Sequence, residues 1–281
     1  MSGISKSLII AGAPPCSGST LVSWCFLQRR DTDGLLDARN DLLPDLPAVS
    51  TPHCWFKMTI SVFRLADLVE HFRDEGWQVR SLLIVRDLRA VFNSMLAKSY
   101  TSNGTTAEDP PFRMRLRRFN EDWQQMRERV PVIQYESLMR DPESTLRLSC
   151  EQLALPWDAA MLDWPKDREQ IVDPRHGSPT FRQSLTKNFA GTADASHTKI
   201  NLERIPPADL DWLEEEFAQL NEICGYPRHL PRCQQTSISS RAFPLYENTR
   251  RYHKQRPLLR ISATCARMKR ALLKKSGNDA M

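Results

Sequence analysis

The sequence has no long hydrophobic run and no cysteine pattern of the kind that builds a framework. None of its 281 residues falls in an apolar stretch that approaches the roughly 20 residues a membrane-spanning helix needs. The apolar stretch near the start is too short for a signal peptide and is typical of a first strand. The seven cysteines form no CxxC pair and no Cys/His cluster, which disfavours a disulfide scaffold and a zinc site. We therefore expect a soluble, cytoplasmic protein with reduced thiols and no metal.

Positive charge is concentrated in the last part of the chain. Residues 241–281 contain 11 Lys/Arg against two Asp/Glu, a net charge of +9, whereas the preceding 240 residues carry −4. We expect one domain over residues 1–230 and a basic tail, helical in part, over 231–281. Such a tail can make peripheral contact with an anionic membrane or bind an acidic partner, or it can be a solvated helix. No specific nucleic acid is expected.

Short apolar strands alternate with helices along the first 230 residues. Residues 31–52 are interpreted as a loop with short helical pieces, and 156–208 as irregular. Strands are predicted over 7–11, 55–59, 79–85 and 131–134, and helices over 19–29, 62–75, 89–97, 112–129, 142–153 and 209–224. This alternation predicts an α/β fold, a P-loop-like three-layer sandwich with a central parallel sheet flanked by helices.

A small polar loop, Gly12–Thr20, joins the first predicted strand to the first helix. The first N–H groups of a helix lack internal partners and lie at the positive end of its dipole, so such a loop suits an anion. The alternative is a capped helix with no ligand. Gly12 and Gly18 are separated by five residues, and Ser19 stands where a nucleoside triphosphatase loop has lysine. ATPase, GTPase and P-loop kinase chemistry is therefore disfavoured.

A second polar segment, Arg86–Ser94, also follows a predicted strand. Carboxyl ends of parallel strands meet at one edge of a sheet, so this segment could share a site with the loop. The Arg86 guanidinium can bind a phosphate bidentately, and the Ser94 hydroxyl adds a donor. The alternative is a surface pair between Arg86 and Asp87 of little consequence.

The loop Pro15-Cys16-Ser17-Gly18-Ser19-Thr20 resembles the 5′-phosphosulfate loop of sulfotransferases that use 3′-phosphoadenosine 5′-phosphosulfate (PAPS). That loop has Arg or Lys where this chain has Cys16. The pair Arg86 and Ser94 resembles the 3′-phosphate motif of the same family. The form Arg86-Asp87-x-Arg89-Ala90 is similar to tyrosylprotein and carbohydrate sulfotransferases.

Further segments extend the resemblance over about residues 7–228. Tyr135–Pro156 is similar to a family segment that we interpret as scaffold. His176–Arg182 and Cys224–Pro227 are similar to the family's closing segment, in which a basic residue reaches the nucleotide. Arg182 is the candidate for that role, followed by Lys187 and Lys199.

The resemblance implies transfer of a sulfuryl group from PAPS to a hydroxyl of a carbohydrate or small natural product, without a metal. It implies a PAPS site formed by Cys16, Ser17, Gly18, Ser19, Thr20, Arg86, Ser94 and Arg182. Alternatives are a weak or inactive relative that binds nucleotide or a partner, and an adaptor that acts through its basic tail.

Two catalytic roles remain to be assigned, a cation near the leaving group and a base near the acceptor. The resemblance implies Lys57 as the cation. It implies Asp37 as the base, because tyrosylprotein sulfotransferases carry a Glu at the same 21-residue distance from the loop position of Cys16. Asp41 is a neighbour that could act similarly, and His53, an imidazole just before the strand of Lys57, is the alternative base. Each of these candidates could instead be an ordinary loop or surface residue.

Overall fold

A five-stranded parallel sheet forms the centre of the protein. The computed structural model describes residues 7–38, 46–47, 49–60, 63–97, 110–172 and 200–229. The strand order is β2-β3-β1-β4-β5, and all neighbouring strands are parallel. The strands are β1 (Ser7–Ala13), β2 (Thr32–Ala38), β3 (His53–Thr59), β4 (Gln78–Val85) and β5 (Val132–Gln134).

Helices connect the strands and follow the last of them. They are α1 (Ser19–Leu27), α2 (Leu65–Asp74), α3 (Leu88–Ala97), α4 (Pro110–Met126), α5 (Tyr135–Arg140), α6 (Pro142–Gln152), α7 (Ala160–Asp163), α8 (Pro207–Glu216) and α9 (Ala218–Ile223). Short 3₁₀ turns occupy Arg168–Gln170 and Leu202–Arg204. Over the described part of the chain, no helix combines the length and the hydropathy that a bilayer crossing would require.

The sheet is covered on both faces. Side chains alternate along β1, so that Leu8 and Ile10 belong to one apolar cluster and Ile9 and Ala11 to another. The first cluster packs against α2, α3, α4, α8 and α9, and the second against α1, α5, α6 and α7. The predicted three-layer α/β sandwich is therefore confirmed.

The edge strand β2 contradicts the prediction of a loop over residues 31–52. Its sequence, TDGLLDA, has a glycine and two aspartates, residue types that are uncommon in strands. The structure uses all three of these residues. Asp33 pairs with Lys166 and Asp37 with Lys57, while a Cβ at Gly34 would lie 1.9 Å from the Trp55 carbonyl oxygen. Only glycine allows β2 to approach β3 so closely.

Other boundaries differ in smaller ways. The helix predicted over 209–224 is two helices, because Phe217, whose side chain is buried, leaves helical geometry. Helix α5 was not predicted, and α7 lies in a segment interpreted as irregular. The boundary between a domain and a tail near residue 230 lies at the end of the described residues and stays a prediction.

Candidate active site

The loop between β1 and α1 is tightly curved and closely covered. Cys16 and Gly18 both have positive φ, 59° and 79°. Gly18 is the N-cap of α1, and no side chain caps the helix there. A Cβ at Gly18 would lie 2.3 Å from Cε2 of Tyr135, so the aromatic ring requires glycine at this position. The first turn of α1 thus offers its backbone N–H groups to a ligand.

The Ser17 hydroxyl is a buried polar group of this loop that the described residues leave without a hydrogen bond. Ser17 is fully buried, and its Oγ has no hydrogen-bond partner among the described residues. A buried hydroxyl without a partner costs about 1–3 kcal/mol. A ligand that carries acceptor oxygens, such as a phosphate or a sulfate, would satisfy it.

Arg86 lies immediately after β4 and reaches the loop. Its Nη1 donates a hydrogen bond of 2.9 Å to the Cys16 carbonyl oxygen. Its Cζ lies 4.6 Å from the centre of the Tyr135 ring, a cation–π contact. The two segments that the sequence predicted to meet are in contact. Ser94, the partner proposed for Arg86, lies half-buried in the second turn of α3.

Asp37 and Lys57 form a buried ion pair. Lys57 Nζ lies 2.9 Å from Asp37 Oδ1, and the side chains are 2% and 7% exposed, respectively. Lys57 Nζ also donates to Thr59 Oγ1 at 3.3 Å. Thr59 is paired in register with Ala13, the last residue of β1. The polar loop Gly12–Thr20, which we call the phosphate-type loop after the motif that it resembles, turns away from the sheet there. The structure therefore brings the predicted base and the predicted cation together, one strand away from that loop.

His53 lies at the other end of the sheet. It begins β3, and its Nδ1 lies 2.5 Å from Ser7 Oγ at the start of β1. Its Nε2 is 3.8 Å from Asp31, and burial lowers the pKa of the imidazole. The structure does not place His53 with Asp37 and Lys57, which sit near the carboxyl ends of their strands.

Several predicted site residues lie outside the described part of the chain. They are Asp41, Arg182, Lys187 and Lys199, together with His176 and the basic tail. Their proposed roles stay predictions. Among the residues that are described, no group of three or more His, Cys, Asp or Glu side chains is arranged to hold a metal ion.

Tyr135 and Glu136 are site residues that the sequence reasoning treated as scaffold. The Tyr135 ring contacts both Gly18 and Arg86, and burial raises the pKa of its hydroxyl. Glu136 accepts the Asp87 N–H at 3.1 Å, and burial raises its pKa as well. Both directly follow β5. The rule that selected the segments after β1 and β4, the carboxyl ends of parallel strands, would have selected these residues too.

Comparison with known proteins finds sulfotransferases both by sequence and by fold. Residues 48–159 match the sequence model described as "Sulfotransferase family", a range that contains Lys57, Arg86 and Tyr135 but not the phosphate-type loop. The sulfotransferase domain of the curacin biosynthetic pathway has a similar fold, with 15% identity, a TM-score of 0.50, and coverage of 80% of this chain and 99% of that one. The sulfotransferase domain of the Synechococcus PCC 7002 olefin synthase has 16% identity, a TM-score of 0.51, and coverage of 79% and 96%.

One curated relative is named after aminotransferases and not after sulfotransferases. The "branched-chain-amino-acid aminotransferase-like protein 2" of Arabidopsis thaliana is 25% identical over 119 residues, which are 42% of this chain and 20% of that protein. The chain thus matches about a fifth of the length of this relative. Residues 48–159 of the chain thus match the sulfotransferase family model, and its fold is that of sulfotransferase domains.

Proposed function

We propose that the protein transfers a sulfuryl group from PAPS to a hydroxyl group of an acceptor. The observation that carries the proposal is the 2.9 Å hydrogen bond from Arg86 to the carbonyl oxygen of Cys16. It joins the two segments that resemble the 5′-phosphosulfate and 3′-phosphate motifs, which are 70 residues apart in the chain. A single nucleotide with both groups could occupy them together.

The described residues suit such a nucleotide. The N–H groups at the start of α1 and the buried Ser17 hydroxyl would bind the 5′-phosphosulfate, with Ser19 and Thr20 beside them. Arg86 and Ser94 would bind the 3′-phosphate. PAPS supplies a sulfuryl group on a phosphate that leaves readily.

The reaction needs a proton acceptor as well as a sulfuryl donor. The acceptor oxygen forms a bond to sulfur while the bond from sulfur to the 5′-phosphate oxygen breaks. The acceptor hydroxyl loses its proton, which goes to the Asp37 carboxylate. The products are the sulfate ester and 3′-phosphoadenosine 5′-phosphate (PAP).

In this ion pair, proton transfer to Asp37 would strengthen the stabilisation of the leaving oxygen by Lys57. Before reaction, the Lys57 ammonium is balanced by the Asp37 carboxylate, 2.9 Å away. When Asp37 takes the proton, its negative charge is lost, and the ammonium becomes available to the charge that develops on the leaving oxygen. Because both side chains are almost fully buried, this electrostatic effect is only weakly screened by water.

The acceptor class proposed is a carbohydrate or a small natural product, and the compartment is the cytoplasm. The basic tail over residues 241–281 is proposed to make peripheral contact with anionic membranes. These proposals rest on the sequence resemblance and on the charge of the tail.

A second candidate function is a nucleotide-binding protein with little or no turnover. It is favoured by Cys16, which takes the place of the basic residue in the family's loop. As a neutral thiol, Cys16 supplies no positive charge to a transferring sulfuryl group. What distinguishes this candidate from the first is sulfuryl transfer itself.

The test is calorimetric titration of the full chain with PAP, with ATP and AMP as controls, repeated on Arg86→Ala. We expect PAP to bind more tightly than AMP, since AMP lacks the 3′-phosphate, and we expect Arg86→Ala to remove that difference. Equal binding of PAP and AMP to the wild type would contradict the assignment of the 3′-phosphate site. Binding of PAP without turnover in an acceptor screen with PAPS would favour the second candidate.

A further inference from the structure

A buried arginine beside the proposed 3′-phosphate site makes contacts that the proposed function does not use. Arg89 is 1% exposed and forms a bidentate pair with Asp87, through Nε to Oδ1 at 2.8 Å and Nη2 to Oδ2 at 2.6 Å. Its Nη1 donates to Glu214 Oε1 at 2.9 Å and to the Pro227 carbonyl oxygen. One guanidinium therefore binds the turn after β4 and the C-terminal part of the fold at once.

The Asp87 carboxylate is the part of this network closest to function. Asp87 follows Arg86 directly in the sequence, so its carboxylate is a natural intramolecular partner for the Arg86 guanidinium. Such a pair would compete with a bound phosphate. Instead, Arg89 occupies both oxygens of Asp87, and the Asp87 N–H is bound by Glu136. Arg86 instead points to the loop and the Tyr135 ring.

The far end of the network is in the C-terminal part of the domain. Glu214, which belongs to α8, pairs with Arg89 and also accepts the His229 N–H at 3.4 Å. Tyr226 donates its hydroxyl to Glu136 Oε2 at 2.8 Å. The segment from Tyr226 to His229 is thus bound to Arg89 through the Pro227 carbonyl oxygen, 138 residues away in the sequence, and to Glu136 through Tyr226, 90 residues away.

Electrostatics explains why an arginine is needed here. Asp87, Glu136 and Glu214 bring three carboxyl groups close to a site proposed to bind a dianion. Burial raises the pKa of Glu136, while the two carboxylates hold the pKa of Arg89 above its ordinary value despite its burial. Without Arg89, uncompensated negative charge would lie beside the phosphate site and repel the ligand.

We infer that Arg89, with Asp87 and Glu214, is a positioning element that holds the Asp87 carboxylate away from Arg86 and makes selectivity for the 3′-phosphate depend on the docked C-terminal segment. The inference rests on the proposed function, since it presumes a nucleotide with a 3′-phosphate. It assigns to Glu214 an effect on ligand selectivity, although Glu214 contacts Arg89 and not Arg86.

The experiment compares Glu214→Gln with Glu216→Gln in the full chain. Both residues are on α8, but Glu216 pairs with the half-exposed Arg117 on the surface. The dissociation constants of PAP and AMP are measured by calorimetry, and the readout is the AMP constant divided by the PAP constant. We expect Glu214→Gln to lower this ratio about tenfold, within the usual range for coupled sites, with AMP binding nearly unchanged. Glu216→Gln should leave the ratio as in the wild type.

The ratio separates positioning from a loss of folded protein, because a smaller folded fraction affects both ligands equally. Tyr226→Phe gives a second, nearly isosteric test, and it should lower the ratio by a smaller factor. If the wild type prefers PAP and both variants retain that preference, the inference is wrong while the proposed function stands. If the wild type itself does not distinguish PAP from AMP, the proposed 3′-phosphate site and this inference are both overturned.

Discussion

Single and double substitutions of the Asp37–Lys57 pair should separate the contribution of the pair to stability from its contribution to catalysis. In Lys57→Met the Asp37 carboxylate, 7% exposed, loses the ammonium that lies 2.9 Å from it. Breaking a buried ion pair from one side costs about 3–5 kcal/mol. For a domain of this size, that corresponds to a fall in Tm of roughly 6–20 °C.

The double variant Asp37→Asn/Lys57→Met should recover most of that stability and none of the activity. No charge remains at this pair, and replacing a buried pair by neutral side chains is often neutral for folding. Turnover, by contrast, needs a base and a cation, and the loss of a general base alone costs about 10²–10⁴-fold in rate. Lys166→Met is the matched control, because Lys166 pairs at 3.0 Å with Asp33 on the same strand, β2, but in a more exposed setting.

The assays are thermal unfolding and initial rates of sulfuryl transfer from PAPS, once an acceptor has been identified. Lys166→Met should lose less than about 1 kcal/mol of stability and retain its rate. Turnover by the double variant within about tenfold of the wild type would refute the catalytic assignment, since it lies below the loss expected for a missing base. The pair would then be structural only.

Two further predictions follow from contacts at the loop and at α2. Gly18→Ala should weaken PAP binding at least about tenfold, because its Cβ would lie 2.3 Å from the Tyr135 ring. Gly76 is the matched control, because its φ is also positive but the space around it is open. Gly76→Ala should lose only about 1 kcal/mol of stability and no affinity. Asp122 caps α2 through the Leu65 N–H at 2.7 Å, and burial raises its pKa from 3.8 to about 6. The folded state therefore holds this proton more tightly, so the wild type should lose stability relative to Asp122→Asn as the pH rises from 3.8 to about 6. Urea unfolding at stepped pH measures this, and a constant difference between the two proteins would contradict it.

The sequence was most informative where local pattern and burial agree. Strand β1 contains the apolar run Leu8–Ala11 and β4 ends in the apolar run Leu82–Val85, and buried runs of this kind are what a parallel sheet covered on both faces requires. Strand β2 could not be recognised in the same way. Asp33, Gly34 and Asp37 are explained by contacts with Lys166, Trp55 and Lys57, each of which lies far from them in the sequence.

The candidate site shows the same division. The contact of Arg86 with the loop was predictable, since both segments follow parallel strands. The sequence did not identify Tyr135 as a residue of the candidate site, because its segment was interpreted as scaffold. Only the structure shows that its ring packs against Gly18. The pairing of Arg89 with Glu214 depends on how α8 docks, which no local pattern encodes.

The strand order has a consequence for synthesis of the protein on the ribosome. β1 is the first strand to emerge, but it occupies the centre of the sheet and pairs only with β3 and β4, which are made later. The contacts of Arg89 with the C-terminal part of the domain form later still, after Glu214 and the segment to His229 have been translated. Assembly by such distant contacts is slow compared with that of locally connected folds. A nascent chain would therefore carry the loop Gly12–Thr20 and Arg86 well before the contacts of Arg89 with Glu214 and Pro227 could form.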